Sequence, residues 1–489
     1  MNEKDYDAII IGGGQGGLTC GAFLANAGKK VLLIEPSDRL GGRYRSVEQD
    51  GFHVFAYGGA PVVQYAKQAL SKLGISVPWV PLVDPMMYFF NVDTGDFLGF
   101  PSTQKMKEDP GSVRRVMNKV LKLEGELLED YTRVVAQMQT YSKERLEELR
   151  RVSVADWVKT VTPNPLTQEF IYRTIYGYGS ITIPRPEDMS TYTTIFEFME
   201  LMKEDIPLVA INDPRYPGTW GLPMAFAEAM QEGGGVVHLN ARVEKIDIEN
   251  GRVVGVSGLD KKYESRFEYR APIVVSNLKI WENFKQDLLS PQDFPIDWYH
   301  QAMALERFKS GAISIWTATN KKIEAVQGWH SWIRFLSEDD EEYTRRRGRE
   351  ICTHTYTRNR GGFGVQSAFC PSVAPPDKDL FSLTLWLTTE EIEGRNLKEW
   401  INEGHQAMRQ FFKFACNEDY DEIRLWNKVI YHKPSWGVEM YAVHPHPDVK
   451  SPTIEGLWFA GDSIDGRGIA GDHATYTGMV AAERIVAEA

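Results

Sequence analysis

The chain has 489 residues, more than one core of ordinary size holds, so two intimately joined domains are expected. Its 43% hydrophobic and 25% charged residues are those of a globular protein. Lys+Arg 55 against Asp+Glu 67 leave a net charge of −12, which argues against nucleic acid as a partner, because an acidic surface gains no affinity from counterion release. Cys20, Cys352, Cys370 and Cys416 form no C-x-x-C pair, so they supply neither zinc-like spacing nor a disulfide scaffold. No apolar stretch is long enough to span a bilayer. Met1 to Asp7 leads straight into the first strand without room for a signal peptide. A reducing, cytoplasmic location is the expectation, with peripheral contact to a membrane surface left open.

Ala8 to Ile11 reads as a buried parallel strand, apolar and β-branched. Gly12-Gly13-Gly14-Gln15-Gly16-Gly17 follows and fits G-x-G-x-x-G. Then comes a helical pattern through Leu18, Ala22, Leu24 and Ala25 with Gly28 as its stop, and a second strand from Val31 to Ile34. Glu35 stands eighteen residues after Gly17. Strand, glycines, helix, strand and acid in register make a dinucleotide fingerprint. Gly12 permits the tight turn, Gly14 admits a pyrophosphate, and Gly17 lets helix and strand pack closely. The amides opening the helix, around Gln15 and Gly16, point at phosphate, and Glu35 accepts from ribose hydroxyls. Pro36 leads on to Gly41-Gly42-Arg43, a second flexible turn with a guanidinium suited to phosphate oxygens.

Gly51 to Pro61 reads as a strand delivered into the glycine turn Gly58-Gly59-Ala60, followed by a helix from Val62 to Leu73. Tyr88 to Leu98 reads as two short strands around a turn. Gly111 to Arg151 is helical by spacing, with Gly125 as a break, and its mixed charges suit a solvated face over a core stripe. Ser153 is placed to cap a helix reaching Val161. Thr191 to Met202 is apolar through Ile195, Phe196, Phe198, Met199 and Met202, as core or as the wall of a substrate tunnel. Pro217-Gly218 turns the chain into a helix ending at Gly233-Gly234-Gly235, and short strands run from Val236 to Asn277. Ala312 to Ala318 and Leu380 to Leu387 alternate as half-buried strands of an antiparallel sheet. The aromatics of that region, Trp316 and Trp386 among them, are set either in the sheet's core or facing a cofactor cavity. Leu457 to Ala460 reads as a buried strand ending in Gly461-Asp462, and a helix begins near Asp472.

The Gly41-Gly42-Arg43 turn and the closing segment from Gly461 to Ala482 resemble the nucleotide motifs of FAD-containing amine oxidases and phytoene-dehydrogenase-type enzymes, including carotenoid isomerases and retinol saturases. The resemblance covers roughly residues 1–85, 215–285 and 430–489, and implies one discontinuous FAD-binding domain there. Residues 86–214 and 286–429 would then form the substrate-binding domain. The implied fold is α/β: a Rossmann-type, glutathione-reductase-like FAD domain with an inserted α+β domain built on an antiparallel sheet. By the same resemblance FAD is bound non-covalently, Gly58, Gly59 and Ala60 pass beside the flavin ring, and the Val243 backbone holds the adenine edge. Ala56 departs from the families, which often carry an acid near that position. Asp462 would meet ribityl or pyrophosphate, and the amides around Ile469 and Ala470, kept clear by Gly468, would face flavin N1 and the C2 carbonyl. The implied activity is hydride transfer between flavin N5 and a largely apolar small molecule, with dehydrogenation, saturation or isomerisation at a C–C bond. Oxidation of a C–N bond with oxygen as acceptor is the alternative, and a non-catalytic FAD-binding protein a minor one. Asp472 and His473 are the leading candidates for acid–base work, with Tyr441 and His444 behind them. The electron acceptor and oligomeric state stay open.

Overall fold

The computed structural model describes residues 5–55, 64–81, 87–100, 108–109, 111–112, 114–115, 118, 124–138, 140–168, 171–172, 186–197, 209–329, 332–338, 357–387, 392–394, 396–437 and 439–488. The expected flavin-side turn Gly58-Gly59-Ala60 lies outside them, as do His330, Cys352 and Tyr356.

Strand β1 (Ala8–Ile11) is fully buried and lies in the middle of a five-stranded sheet. The order across that sheet is Leu457–Phe459, Val274–Ser276, β1, β2 (Val31–Glu35) and Val236–Leu239. Every pairing is parallel, with Ile9 opposite Val274 and Ile10 opposite Leu33. A parallel sheet covered on both faces demands continuous apolar strands, which the unbroken Ala-Ile-Ile-Ile and Val-Leu-Leu-Ile runs supply. Its strands all end on one side, so Gly12, Glu35, Asn277 and the Ala460–Gly461 pair collect along a single edge. Open α/β sheets bind ligands at such an edge.

Helix α1 (Gln15–Asn26) packs between this sheet and the closing helix Gly471–Glu488. The two helices approach backbone to backbone. A side chain on Gly478 would collide with the Gly16 carbonyl, and one on Gly17 with the Gly12 carbonyl. Gly28, at φ +79°, ends α1 by donating its amide to Ala25, a left-handed stop that glycine takes without strain.

A second, seven-stranded sheet runs in the order Arg424–Gly437, Lys309–Thr319, Leu380–Leu387, Thr357–Val365, Trp332–Glu338, Met87–Asn91, Phe97–Phe100. It is antiparallel as expected except where Trp332–Glu338 runs parallel to Met87–Asn91. That pair joins two distant excursions of the chain, so no hairpin dictates its sense. Helix Leu397–Phe411 covers one face through Trp400, Met408 and Phe411, and Gly404 lets it close onto Ile315.

The strand Arg424–Gly437 runs through residue 430, and its pairing with Lys309–Thr319 holds the chain in the seven-stranded sheet to Gly437. Residues 286–308 pack through Leu288, Leu289, Phe294, Leu305 and Phe308 into the cluster that contains β1, not into the seven-stranded sheet's core. The helical excursion also joins that cluster, through Val134, Leu149, Trp157 and Phe196. It has no sheet of its own to cover. Ser153 caps the helix Val154–Val161 as expected, accepting from the Asp156 amide at 3.0 Å. Gly125 opens the helix Gly125–Met138 at φ +53°.

Because Gly478 meets backbone rather than a movable side chain, overpacking there has no easy relief. Gly478→Ala should lower the thermal midpoint by several degrees, read by circular dichroism, and weaken cofactor retention in parallel.

Candidate cofactor site

The fingerprint turn is held from both sides. Gly12 takes φ +97° and donates to the Ile34 carbonyl at 2.8 Å, extending the ladder between β1 and β2. Gly14 stands in extended conformation before α1, and no side chain caps the helix. The unsatisfied amides of that first turn form a ready anion site. Side chains at Gly14 or Gly16 would press on Asn277, at 2.9 and 2.7 Å from its amide atoms.

Glu35 is tied into this turn. One carboxylate oxygen accepts from the Gly13 amide at 2.8 Å, and the other from the Ser37 amide and hydroxyl at 2.9 and 2.7 Å. Pro36 is exposed at the start of that bend. Gly41, at φ +105°, donates to the Gly13 carbonyl at 2.8 Å, which sets the second glycine turn directly on the first. A side chain on Gly42 would lie 3.1 Å from the Gly14 Cα.

The far end of the chain closes the same cleft. Gly461, at φ +114°, follows the closing strand and donates to Thr477 Oγ1 at 2.9 Å. A side chain on Gly16 would come within 3.1 Å of its amide. Gln15 donates from Nε2 to Thr475 Oγ1 at 3.0 Å, and its buried Oε1 has no partner within the chain. Asp462 forms ion pairs with Arg43 and, at 3.0 Å, with Lys279. Burial works to raise the Asp462 carboxyl, but the two cations outweigh it and hold it well below the usual carboxylate range. Two cations, Arg43 and Lys279, meet this one carboxylate beside the two glycine turns. Beyond Arg43 stands His432, pushed down to about 4 by burial and by that guanidinium. Val243 lies buried in the strand Ala241–Glu249, opposite Gly258 and beside a bulge.

The loop from Asp465 to Ala470 is braced on every side. Gly468 takes φ +88°, and Ala470 takes φ +52°, a left-handed conformation costing a non-glycine residue roughly 1–2 kcal/mol. Ile469 is buried between them. His473 contacts the Ile464 carbonyl through Nε2 at 2.8 Å and the Gly468 carbonyl through Nδ1 at 3.2 Å. Burial outweighs these two carbonyls and lowers its pKa, and the neutral ring, with a single N–H, donates to one of them at a time. Asp472 accepts from the Tyr65 and Ala66 amides at 2.9 and 2.7 Å and thereby caps α2 (Gln64–Lys72). Burial raises its carboxyl to about 7 against those two hydrogen bonds. Tyr441 is buried, its carbonyl accepting from Ser190. His444 lines a cleft with Arg150, Thr193, Asp465 and His473, and its Nε2 has no partner. Trp316 is wholly buried edge-to-face on Phe55, their ring centroids 5.5 Å apart, so it belongs to the core.

Three residues of this site carry no expectation from sequence. Asn277 and Lys279 stand just beyond the parallel strand Val274–Ser276, where the edge rule alone would have pointed to them. Glu197 is 3% exposed, accepts from the Gly468 amide, and stands in an apolar run that also carries Glu200. A charge within an apolar run was the available signal, and it does not single out Glu197.

These features define a dinucleotide-binding protein whose first and last segments meet at one cleft. The family model described as flavin containing amine oxidoreductase matches residues 16–486, and the chain belongs to that family. It is an FAD-type oxidoreductase by that membership, and FAD is its cofactor. Among curated relatives, all-trans-retinol 13,14-reductase of Danio rerio is 24% identical over 327 residues, 59% of this chain and 50% of that protein. A 15-cis-phytoene desaturase of Solanum lycopersicum is 23% identical over 58% of this chain and 49% of its own length. Prolycopene isomerase of Daucus carota is 23% identical over 60% and 49%. The matched region thus spans about half the length of these relatives. (S)-6-hydroxynicotine oxidase of Paenarthrobacter nicotinovorans is 60% identical, but over 43 residues, 9% of this chain and 10% of that one. An oxidoreductase structure from Methanosarcina mazei shares the fold with TM-score 0.70 at 19% identity, covering 98% of this chain and all of that one. A fatty acid isomerase from P. acnes does so at 0.58 and 15%, covering 99% of each chain.

The residues present fit FAD. The glycine cradle that side chains would fill, the uncapped α1 and the cations gathered at Asp462 suit a diphosphate. We propose that Gly12, Gly14, Gln15, Gly16, Gly17, Gly41, Gly42 and Arg43 hold the pyrophosphate region, with Glu35 and Pro36 beside the adenosine ribose and Val243 at the adenine. Gly461 and Asp462 would meet the ribityl side, and Gly468, Ile469 and Ala470 the pyrimidine. Bound FAD supplies an acceptor and donor of hydride, while this chain orients it and excludes water.

Removing one charge-assisted contact costs about 1.5–3 kcal/mol, so Arg43→Ala should weaken FAD binding by about 10- to 150-fold in a fluorescence titration. Glu197 and Asp472 keep their protons when folded up to about pH 7 and would release them near pH 4 when unfolded. Their contribution to stability is therefore present in acid and lost as pH rises through 7. A Glu197→Gln/Asp472→Asn double variant should show a smaller fall in thermal midpoint between pH 5 and 8 than the parent.

Proposed function

We propose that the chain moves a hydride between flavin N5 and a largely apolar small molecule, with dehydrogenation, saturation or isomerisation at a C–C bond. The observation that carries this reading is the agreement of three relatives over the same share of the chain. They are named for retinol, phytoene and prolycopene, all long unsaturated hydrocarbon frameworks. Phe52, Val54 and Phe55, on the strand Phe52–Phe55, pack with Trp316, Phe369 and Leu380 into a closed apolar core. Low-dielectric surroundings of this kind strengthen each oriented dipole. The Asp465–Ala470 loop is held by His473, so its amides are fixed before negative charge develops opposite them.

Oxidation of a C–N bond is the second reading, favoured by the short but close match to the hydroxynicotine oxidase. The two readings share the cofactor site and part at the substrate. Purified chain reconstituted with FAD should turn yellow. Under anaerobic conditions its flavin band should bleach with a polyene or polyenol, or the dithionite-reduced form should recolour with one. Bleaching only by amines, with peroxide released under air, would move the assignment to C–N oxidation. Indifference to every donor and acceptor would leave a binding protein without catalysis.

A further inference from the structure

Glu197 reaches the cofactor loop from the helical excursion, 271 residues before its partner Gly468. It lies in the buried stretch Tyr192–Phe196 and its continuation, with Ile195 and Phe196 packed into the main core. One carboxyl oxygen accepts from the Gly468 amide. The other, Oε2, is fully enclosed and meets no hydrogen-bond partner among the described residues. An acid buried in this way carries the full desolvation penalty unless something outside the chain completes it. The position is tied to the loop whose next two residues are Ile469 and Ala470. On the reading that those amides face the flavin, the missing partner is the cofactor's pyrimidine edge.

We propose that Glu197 is a cofactor-facing acid: its second oxygen is completed by the pyrimidine edge of bound FAD, and its proton is coupled to the flavin's redox state. This rests on the placement of the flavin against Ile469 and Ala470. A neutral carboxyl donates to the C2 carbonyl, and a carboxylate accepts from N3–H, so both protonation states have a partner there. Burial pushes the Glu197 carboxyl up to about 7, partly offset by the Gly468 amide and by Arg150 and Arg467. Glu147 adds negative charge nearby but is itself paired with Arg467 and Arg150, and Asp472 and Tyr65 are the remaining titratable neighbours. The group thus titrates where a modest change of nearby charge moves its proton. Two electrons and one proton reduce the flavin and leave negative charge at its pyrimidine end. Above neutral pH the Glu197 carboxylate then takes one further proton from solvent, and below neutral pH it already holds that proton.

The test uses the FAD-loaded chain, with dithionite as electron donor. The midpoint potential against pH should change slope near neutrality in the parent, reduction drawing one more proton above the break than below it. Glu197→Gln, which keeps the shape and the oxygen facing Gly468, should stay yellow and lose the break. Asp472→Asn should retain it, because both Asp472 oxygens are already engaged by α2. A parent profile with no change of slope, or a break that survives in Glu197→Gln, overturns the inference while a yellow, reducible protein leaves the FAD reading standing. Preparations that cannot bind FAD in any form would overturn both.

Discussion

Everything in this molecule depends on two helices approaching each other with no side chains between them. Gly16 and Gly478 bring α1 and the closing helix into backbone contact, and Gly16 also abuts the Gly461 amide. Only glycine permits that distance, and the consequence is geometric. The uncapped start of α1 and the Gly461–Asp462 turn come to stand side by side at one edge of the parallel sheet, although more than 440 residues separate them. Each strand contributes to that edge the residues just past its last rung. The sheet therefore works as a ruler: its register sets how Gly12, Glu35, Asn277 and Gly461 line up.

Along that edge the electrostatics change character from end to end. At Asp462 two cations outweigh burial and keep a carboxylate ionised. At Glu197 and Asp472 burial wins and the acids hold their protons to about 7. The difference is local: all three are enclosed, but ion pairs with Arg43 and Lys279 outweigh burial at the first, whereas the cations near the other two only partly offset it. An extended ligand anionic in its middle and carrying neutral hydrogen-bonding groups at one tip suits such a gradient. A dinucleotide bearing a flavin has that distribution. His473, buried and neutral, serves the tip by fixing the loop rather than by carrying charge.

What could be read from the sequence was whatever a local pattern enforces. The Ala8–Glu35 unit was legible because a buried parallel strand, a glycine turn and a helix each leave a periodic mark within thirty residues. Asp462 was legible because it ends an apolar strand and opens a glycine-rich turn. Asn277, Lys279 and Glu197 were not, because their roles come from tertiary neighbours: a parallel strand paired with β1, a carboxylate 183 residues away, and an amide 271 residues away. Aromatic density misleads for the same reason. Trp316 and Phe363 fill gaps beneath a sheet, and nothing in their spacing distinguishes that from lining a cavity. Where the chain leaves the seven-stranded sheet, at Gly437, is decided by strand pairing, which composition does not mark.

The excursions are also more than a substrate platform. His432, on an edge strand of the seven-stranded sheet, stands beside Arg43, and Glu197 and Arg150, from the helical excursion, hold the loop at Gly468 and Gly466. Arg150 donates to both the Asp465 carboxylate and the Gly466 carbonyl, at 2.8 and 2.7 Å. The Asp465–Ala470 loop is thus clamped by residues from outside the segments that carry the glycine turns. Val134, Leu149, Trp157 and Phe196 of the helical excursion also pack into the core that holds β1, so a chain cut back to the glycine-turn segments would open that core as well as release the loop. The turns at the ends of the chain and the braces from its middle are consequently one packed unit.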